Sequence, residues 1–317
     1  MRFSTRTIAA GVFLILILGM SAILIQRPGK ACHEDRIRVL ITDGHSNHDW
    51  KRTTALVAGI LRRTGLFTVD ISTAPSREDD PSWKSWCPRF RNYDVVIQNY
   101  NDMGGGALWP EPARKALEQF VAGGGGLFIL HSANNAFPQW EEYNRMIGMG
   151  WRPRTYGYAL KLAVDQSVIR IPPGEGANTS HGKRTDRLLH RIGDDPVHQG
   201  MPREWMTPLI EVYTHVRGPA ENVEILCWAE EPTTREHWPI EWTIRYGKGR
   251  VYNSTFGHVW KNNEDPVDLR CAGFQTVLIR ALQWLADRPV TWPLPSDFPT
   301  AEHTSLRTLQ DDPGPTP

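Results

Sequence analysis

Histidines, acids and amides follow apolar segments of this chain, at positions where their side chains could meet a ligand. The segment HSNHDW follows one apolar run and contains Asn47, His48 and Asp49. A second apolar run ends at His131, with Asn134 three residues later. Imidazole can move a proton or ligate a metal, and a carboxylate can serve as acid, base or ligand. These residue types predict acid/base or metal-assisted chemistry.

Each of these residues also has a structural interpretation. Asn47 and His48 could ligate a metal, move a proton or bind sugar hydroxyls, whereas Asp49 could equally cap a following helix. An isolated histidine is more often structural than catalytic, but one that ends a central buried strand must point to the mouth of a cleft, which favours function for His131. Ser132 is a weaker candidate nucleophile because it lacks the G-x-S-x-G spacing.

Further polar residues stand in the second half of the chain. Glu211 interrupts the apolar run LIEVY, so it lies outward on an edge strand or points inward as acid, base or ligand. His258 follows a predicted strand and could reach the same sheet edge as His131. His181 and His237 are further candidates. The spacing of all these residues matches no standard zinc motif, so the sequence does not show whether their side chains come together in the fold.

The segments that must position these side chains alternate between strands and helices. Sequence patterns predict strands at 37–42, 67–72, 94–97 and 126–131, and helices at 51–64, 110–121 and 139–147. This alternation indicates βαβ units and a parallel sheet with helices on both faces. Ligands bind at the carboxyl edge of such a sheet, which is where the polar groups stand.

The later part of the chain is less regular. After residue 148 the periodicity weakens, apart from predicted strands at 223–229 and 242–256 and a long amphipathic helix at 268–287. Residues 293–317 contain few hydrophobic side chains, which predicts a disordered tail.

The tryptophans are a second possible source of ligand contacts. The chain has 13 of them, and exposed indoles could stack on the faces of sugar rings. Packing in the core or at its rim is the default explanation for any one of them. The candidates considered are Trp83, Trp86, Trp109, Trp140 and Trp151.

Charge and cysteine content exclude some classes of protein. The chain has 36 lysines and arginines and 35 aspartates and glutamates, which gives a net charge of +1. Because it also has no run of basic residues, nucleic acid is not expected as a partner. The 4 cysteines form no C-x-x-C pair, so the sequence indicates neither a zinc knuckle nor a thioredoxin-type site. In an exported protein Cys87 could pair with Cys227 or Cys271, although simple burial of the last two is the alternative.

The N-terminal segment indicates a membrane. An uncharged apolar run at 8–25 follows Arg2 and Arg6, and its length lies near the lower limit for a spanning helix. We predict that residues 1–30 form an uncleaved anchor in the lipid bilayer rather than a removed signal. The rest of the chain would then be extracytoplasmic and membrane-anchored, or secreted if the segment is cleaved.

Ordered blocks across most of the chain resemble the ThuA-like family, the trehalose-utilisation proteins. The blocks are VLITDGHSNHDWKRTT, TGLFTVDISTAP, YDVVIQNYN, GGGLFILHSANNAFPQWEEYNRMIG and YGKGRVYNSTFGH. The resemblance implies one α/β domain over residues 37–290 with a flavodoxin-like, class I glutamine amidotransferase-like fold, which is a three-layer sandwich around a mostly parallel sheet. It also implies a role in carbohydrate metabolism.

The resemblance also says which chemistry to expect at the site. Where a glutaminase of that fold carries a nucleophilic cysteine after the central strand, this chain has His131, so it is not expected to be a glutamine amidotransferase. One departure is Asp195, where relatives usually have histidine before the following proline, and His215 matches no family position. The family-like polar positions are Asn47, His48, Asp49, His131, Asn134, His181, Glu211, His237 and His258.

Two functions follow as hypotheses. The first is an enzyme that acts on a small carbohydrate, such as a 3-keto-glycoside or disaccharide, as lyase, hydrolase or isomerase. Its catalytic residues would be His131, Glu211 and His258, and His48 with His131 could hold a divalent metal such as zinc, although the sequence requires no cofactor. The second is a non-catalytic carbohydrate-binding or interaction module. The oligomeric state stays open. The expected substrate-binding residues are Asn47, Asp49, Asn134, His181 and His237.

Overall fold

The computed structural model describes residues 36–262 and 265–309. Strands and helices alternate in its first half, which consists of β1 (Ile37–Asp43), α1 (Trp50–Arg63), β2 (Phe67–Thr73), β3 (Val95–Gln98), α2 (Glu111–Ala122), β4 (Gly126–Leu130) and α3 (Glu141–Ile147). Strands dominate the second half, which consists of β5 (Tyr158–Leu162), β6 (Val168–Ile171), β7 (Ser180–His181), β8 (Thr185–Arg191), β9 (Glu204–Ile210), β10 (Tyr213–Thr214), β11 (Arg217–Gly218), β12 (Val223–Glu230), β13 (His237–Tyr246), β14 (Gly249–Ser254), α4 (Val267–Arg270) and α5 (Ala272–Leu285).

One large sheet has the strand order β2-β1-β3-β4-β14-β13-β12-β8-β9. The strands from β2 to β14 pair in parallel, and those from β14 to β9 pair antiparallel. Strands β5, β6 and β11 join this sheet beside the main path, and β7 pairs with β10 separately. The predicted α/β class with a parallel core is confirmed, and an antiparallel extension is added to it.

The core strands are covered on both faces. Val39 and Ile41 of β1 belong to an apolar cluster that includes side chains of α1 and α5. Leu40, between them, belongs to a second cluster that includes side chains of α2 and α3. Burial on both faces explains why these strands are nearly continuous apolar runs in the sequence.

The parallel core brings three chain segments to one edge. Because β1, β4 and β14 run in the same direction, the segments that follow them emerge together. The loop after β1 carries His48, the turn after β4 begins at His131, and the loop after β14 carries His258. This is the carboxyl edge at which open α/β sheets bind ligands.

A buried arginine holds the turn that begins at His131. The backbone of His131 is left-handed, with φ 44°, which is unusual for a residue other than glycine. Arg152 is 2% exposed and donates to the carbonyls of Asn135 at 3.0 Å and Ala136 at 2.6 Å, while its Nε donates to Asn144 Oδ1 at 2.9 Å. The guanidinium therefore satisfies carbonyls that would otherwise be buried without donors.

Replacing this arginine should destabilise the fold. We expect Arg152→Met to lower the free energy of unfolding by about 3–5 kcal/mol, because each buried carbonyl left without a donor costs about 1–3 kcal/mol. Urea denaturation measures the change. The exposed Arg154 offers the control, and Arg154→Met should cost less than about 0.5 kcal/mol. Equal losses in the two variants would show that Arg152 does not hold the turn.

The structure corrects the predicted helix over residues 268–287. Cys271 is extended, with ψ 122°, and divides the segment into α4 and α5. Cys271 forms an isolated antiparallel bridge with Leu306, and the neighbouring Ala272 N donates to Ser305 O at 2.9 Å. The helix is interrupted because the backbone here pairs with a later segment of the chain.

That later segment differs from the disordered tail predicted from residue 293 onward. The structure places residues 293–309 with specific partners, since Arg307 Nε donates to Asp297 Oδ2 at 2.8 Å and its Nη1 to Gln275 Oε1 at 3.1 Å. Polar composition suggested disorder, but these polar groups bind to one another and to α5. Residues 310–317 lie outside the described residues.

The N-terminal segment and the cysteines bear on the prediction of export. The predicted anchor at residues 1–30 lies outside the described residues. Across residues 36–262 and 265–309, no helix is both long and apolar enough to cross a membrane. Cys87, Cys227 and Cys271 are free thiols, so the possible disulfides among these cysteines are not formed.

Candidate functional site

Three histidines from separate loops converge at the carboxyl edge of the sheet. His48, His131 and His258 are buried, and a ring nitrogen of each lies within 4.8 Å of the others. The Nε2 atoms of His48 and His131 are 3.4 Å apart. The ring centroid of His258 lies 5.0 Å from that of His48 and 5.3 Å from that of His131. We call these residues the histidine cluster.

Glu211 lies directly beside the histidine cluster. Its Oε1 is 3.3 Å from His258 Nε2 and 3.6 Å from His181 Nε2, and its Oε2 is 3.8 Å from His131 Nε2. Glu211 as a whole residue is 6% exposed, so of the two orientations left open by the sequence the inward one is present. An acid or base at this position can act on the same atom as the histidines.

The hydrogen bonds of two histidines define their tautomers. His131 Nδ1 lies 2.6 Å from Thr255 O, and because a carbonyl only accepts, Nδ1 carries the proton. His48 Nδ1 lies 3.0 Å from Asn47 Oδ1, an oxygen that also accepts from Asn101 Nδ2 at 3.0 Å. Each Nε2 therefore presents a lone pair, and the two lone pairs face each other.

This arrangement fits a divalent metal. Two facing lone pairs repel unless a proton or a cation lies between them, and Nδ1 hydrogen bonds to oxygen are the usual support of metal-binding imidazoles. Zinc binds nitrogen at about 2.0–2.1 Å, so two nitrogen ligands of a tetrahedral zinc are about 3.3–3.4 Å apart. The 3.4 Å between His48 Nε2 and His131 Nε2 matches this separation. The candidate ligands are thus His48, His131 and His258.

Burial keeps the histidine cluster uncharged. Desolvation lowers the pKa of His48 to about 4, with Lys261 and Arg184 adding to the effect. Desolvation also lowers the pKa of His258 to about 3 and that of His131 well below its usual value. Neutral imidazole is the form that ligates metal, so the cluster is ready to bind near neutral pH.

Tyr213 and Asp268 belong to the site but escaped the sequence analysis. Tyr213 Oη lies 3.3 Å from His131 Nε2. Asp268 Oδ2 accepts from the backbone N–H of His258 at 3.1 Å, and Asp268 Oδ1 lies 3.7 Å from Arg184 Nη2. Burial raises the pKa of Asp268 to about 7. A signal existed for Tyr213, which stands two residues after Glu211, but none for Asp268 inside a predicted helix.

The remaining predicted residues have different places. Asn47 supports His48, as described above, and Asp49 Oδ1 accepts from Arg52 N at 3.2 Å, which caps α1. Asn134 is buried in the turn that follows β4. His237 lies at the start of β13, where its ring packs 4.1 Å from that of Trp228. Substrate binding by Asn47, Asp49, Asn134, His181 and His237 remains a prediction.

A second buried group surrounds His198. Its Nδ1 lies 2.8 Å from Asp195 Oδ2, and its Nε2 lies 3.1 Å from Glu241 Oε2. Cys227 Sγ and Tyr252 Oη donate to the same Glu241 oxygen at 3.4 Å and 3.0 Å. Hydrogen bonds inside the group account for its geometry, so we interpret it as a structural ion-pair network. Asp195, the departure from the family pattern, thus pairs with a histidine.

This network predicts a pH dependence of stability. Burial alone would lower the pKa of His198, but the hydrogen bonds and charges of Asp195 and Glu241 raise it to about 9. Its stabilisation is therefore complete below about pH 6.5 and is lost as the pH rises through about 9. At about 1.4 kcal/mol per pKa unit, the loss is on the order of 3 kcal/mol.

Chemical denaturation across this pH range measures the effect. We expect the free energy of unfolding of the wild type to fall between pH 6.5 and 9 more steeply than that of His198→Gln, which cannot titrate. Parallel pH profiles for the two proteins would show that His198 is not held in its charged form.

Comparisons with known proteins agree with the resemblance seen in the sequence. The ThuA family model, described as trehalose utilisation, matches residues 38–285. A ThuA-like protein from Parabacteroides merdae is 31% identical with a TM-score of 0.79, and the alignment covers 86% of this chain and 98% of that one. A ThuA-like protein from Bacteroides uniformis is 17% identical with a TM-score of 0.53, over 82% and 95% of the two chains, which shows likeness of fold. No curated protein matches.

Proposed function

Since the chain belongs to the ThuA (trehalose utilisation) family, we propose that it is a carbohydrate-metabolism enzyme that uses metal-assisted acid/base chemistry. The observation that carries the proposal is the convergence of the histidine cluster with Glu211. The proposed substrate is a 3-keto-glycoside or a disaccharide, and the reaction is that of a lyase, hydrolase or isomerase.

Glu211 is the proposed proton acceptor. In a 3-keto sugar the carbonyl acidifies the neighbouring C–H bonds, and a carboxylate can take such a proton. A divalent ion held by His48, His131 and His258 would stabilise the negative charge that develops on the sugar oxygen. Glu211 returns the proton to another carbon in an isomerisation, or to the departing glycosidic oxygen in an elimination.

His181 gives the proposed proton acceptor a route to solvent. Its Nε2 lies 3.6 Å from Glu211 Oε1, and its side chain is 36% exposed whereas that of Glu211 is 7% exposed. The imidazole can therefore receive a proton from the buried carboxylate and release it to water. This assigns to His181 a role in proton transfer beside the predicted substrate binding.

The finer fold class and the lack of glutaminase activity are part of the proposal. The parallel strand order β2-β1-β3-β4-β14 corresponds to the order 2-1-3-4-5 of flavodoxin-like sheets, which supports the amidotransferase-like three-layer sandwich. The residue after β4 is His131 rather than cysteine. Burial raises the pKa of Cys227 and Cys271, which leaves these thiols poor nucleophiles.

We also propose that the enzyme is anchored in a lipid bilayer by residues 1–30 and works outside the cytoplasm. The apolar run after Arg2 and Arg6 supports this placement. Fractionation of cells that express the full chain, with protease added to intact cells, tests it. Recovery of the protein in the cytosolic fraction would contradict it.

Turnover by metal-free and metal-loaded protein tests the proposed function. The protein is stripped with a chelator, supplied with zinc or another divalent ion, and incubated with 3-keto-glycosides while NMR follows the sugar. We expect turnover only in the loaded protein, and none with glutamine as substrate. Sugar binding without turnover in any metal form would instead identify a binding module, and the absence of both would refute a carbohydrate role.

A further inference from the structure

The site carries an exposed indole that the proposed chemistry does not use. Trp260 is 42% exposed, whereas every other tryptophan in the described part of the chain is buried or half-buried. Its ring lies parallel to that of His258, at 7° and 5.9 Å, and edge-on to that of His48 at 4.9 Å. The indole therefore stands over two members of the histidine cluster with much of its surface in water.

A backbone hydrogen bond ties the residue before this indole to the site. Asp49 N, at the start of α1, donates to Val259 O at 2.9 Å, which ties the residue before Trp260 to the loop that carries His48. An indole that is both anchored and open to solvent is suited to receive an apolar ring face, since stacking then costs little side-chain entropy.

A second indole approaches the cluster through other residues. Trp151 is half-buried, and its ring lies edge-on to that of Tyr213 at 5.2 Å and 5.9 Å from that of His181. Tyr213 contacts His131, and His181 lies beside Glu211. The two indoles thus contact different members of the site, with Glu211 between His258 and His181.

We propose that Trp260 is the main sugar-stacking residue of this site and that Trp151 forms a second, weaker platform. The apolar C–H face of a pyranose ring packs on the exposed surface of Trp260, which places the ring beside His48 and His258. Trp260 is then a positioning and specificity residue. This inference rests on the proposed carbohydrate function and adds to it the surface that binds the sugar.

Binding of a neutral disaccharide to zinc-loaded protein tests this inference. Trehalose is the probe, and calorimetry compares the wild type with Trp260→Leu, Trp260→Phe and Trp151→Leu. We expect Trp260→Leu to weaken binding by about tenfold, Trp260→Phe by about threefold or less, and Trp151→Leu by an intermediate factor. Trp284→Leu is the control, because Trp284 packs against Arg250 at the start of β14, at the opposite edge of the sheet. This variant should bind the probe as the wild type does.

Zinc affinity separates stacking from mere support of the histidines. If Trp260 binds sugar, the zinc affinity of Trp260→Leu equals that of the wild type, and for a turned-over keto-glycoside KM rises while kcat changes by less than about threefold. A weakened zinc affinity would assign Trp260 to supporting His48 and His258 and would overturn the inference. Equal sugar binding by the wild type and Trp260→Leu would also overturn it and leave the proposed function intact. A wild type that neither binds trehalose nor turns over a 3-keto-glycoside would refute the proposed function itself.

Discussion

His131→Ala is expected to lower the affinity for zinc by at least about 100-fold and to abolish turnover. The variant removes the nitrogen that lies 3.4 Å from His48 Nε2 and 3.8 Å from Glu211 Oε2. The variant leaves His48 and His258 as the only histidines of the cluster, and two imidazoles bind zinc more weakly than three. Competition with a chromophoric chelator near neutral pH measures the affinity.

Two further variants keep this prediction interpretable. His131→Asn retains a residue type that tolerates the left-handed backbone of this position but lacks the reach of imidazole, and it should lose zinc as His131→Ala does. His237→Ala is the control, because that ring packs on Trp228. Zinc affinity within about threefold of the wild type in a folded His131→Ala would remove His131 from the ligand set.

Glu211→Gln is expected to lower kcat by about 10²–10⁴-fold while the zinc content is unchanged. The amide has the shape of the carboxylate and can still accept a hydrogen bond from His258 or His181, but it cannot take a proton from the substrate. Measurements of kcat at saturating keto-glycoside and of bound zinc by mass spectrometry give the two quantities.

The outcome distinguishes a base from a ligand. Glu236→Gln is the control, since that carboxylate pairs with Lys161 on the sheet extension and should leave kcat within about threefold. If Glu211→Gln loses zinc in parallel with kcat, Glu211 is a ligand rather than the proton acceptor. If kcat stays near that of the wild type, Glu211 has no role in the chemistry.

Sequence patterns predicted the part of the fold that positions the site. Strands β1, β3 and β4 are buried on both faces, so their apolar runs are clear, and the parallel arrangement places the residues after them at one edge. His131 was therefore predictable from its position after β4. His48 and His258 follow from the same logic, although their distance from His131 could only come from the structure.

The antiparallel extension was harder to predict because its strands are partly exposed. β8 has one buried residue among several half-buried ones, which gives no clean alternation. Glu211 follows β9 directly. Because the pattern of β9 did not show which of its faces is buried, the sequence could not show whether the Glu211 carboxylate points inward or outward. The fold of the neighbouring strands resolves it.

Other site residues act through contacts that leave no mark on the sequence. Asp268 accepts from backbone N–H groups of Gly257 and His258, and backbone groups carry no residue-specific signal. The loop after β14 places Trp260 beside His258 with much of its ring exposed. By contrast, Trp109, which the sequence offered as a candidate for stacking, is fully buried. Exposure, which separates a stacking surface from a core residue, is a property of the folded chain.

The central claim is that the histidine cluster binds a divalent metal, and X-ray absorption at the zinc edge of zinc-loaded wild-type protein tests it most directly. The account predicts one zinc per chain with three imidazole nitrogens at about 2.0–2.1 Å, and a loss of imidazole scattering in His131→Ala. A zinc bound without imidazole ligands, or a protein that retains no zinc after dialysis, would contradict it.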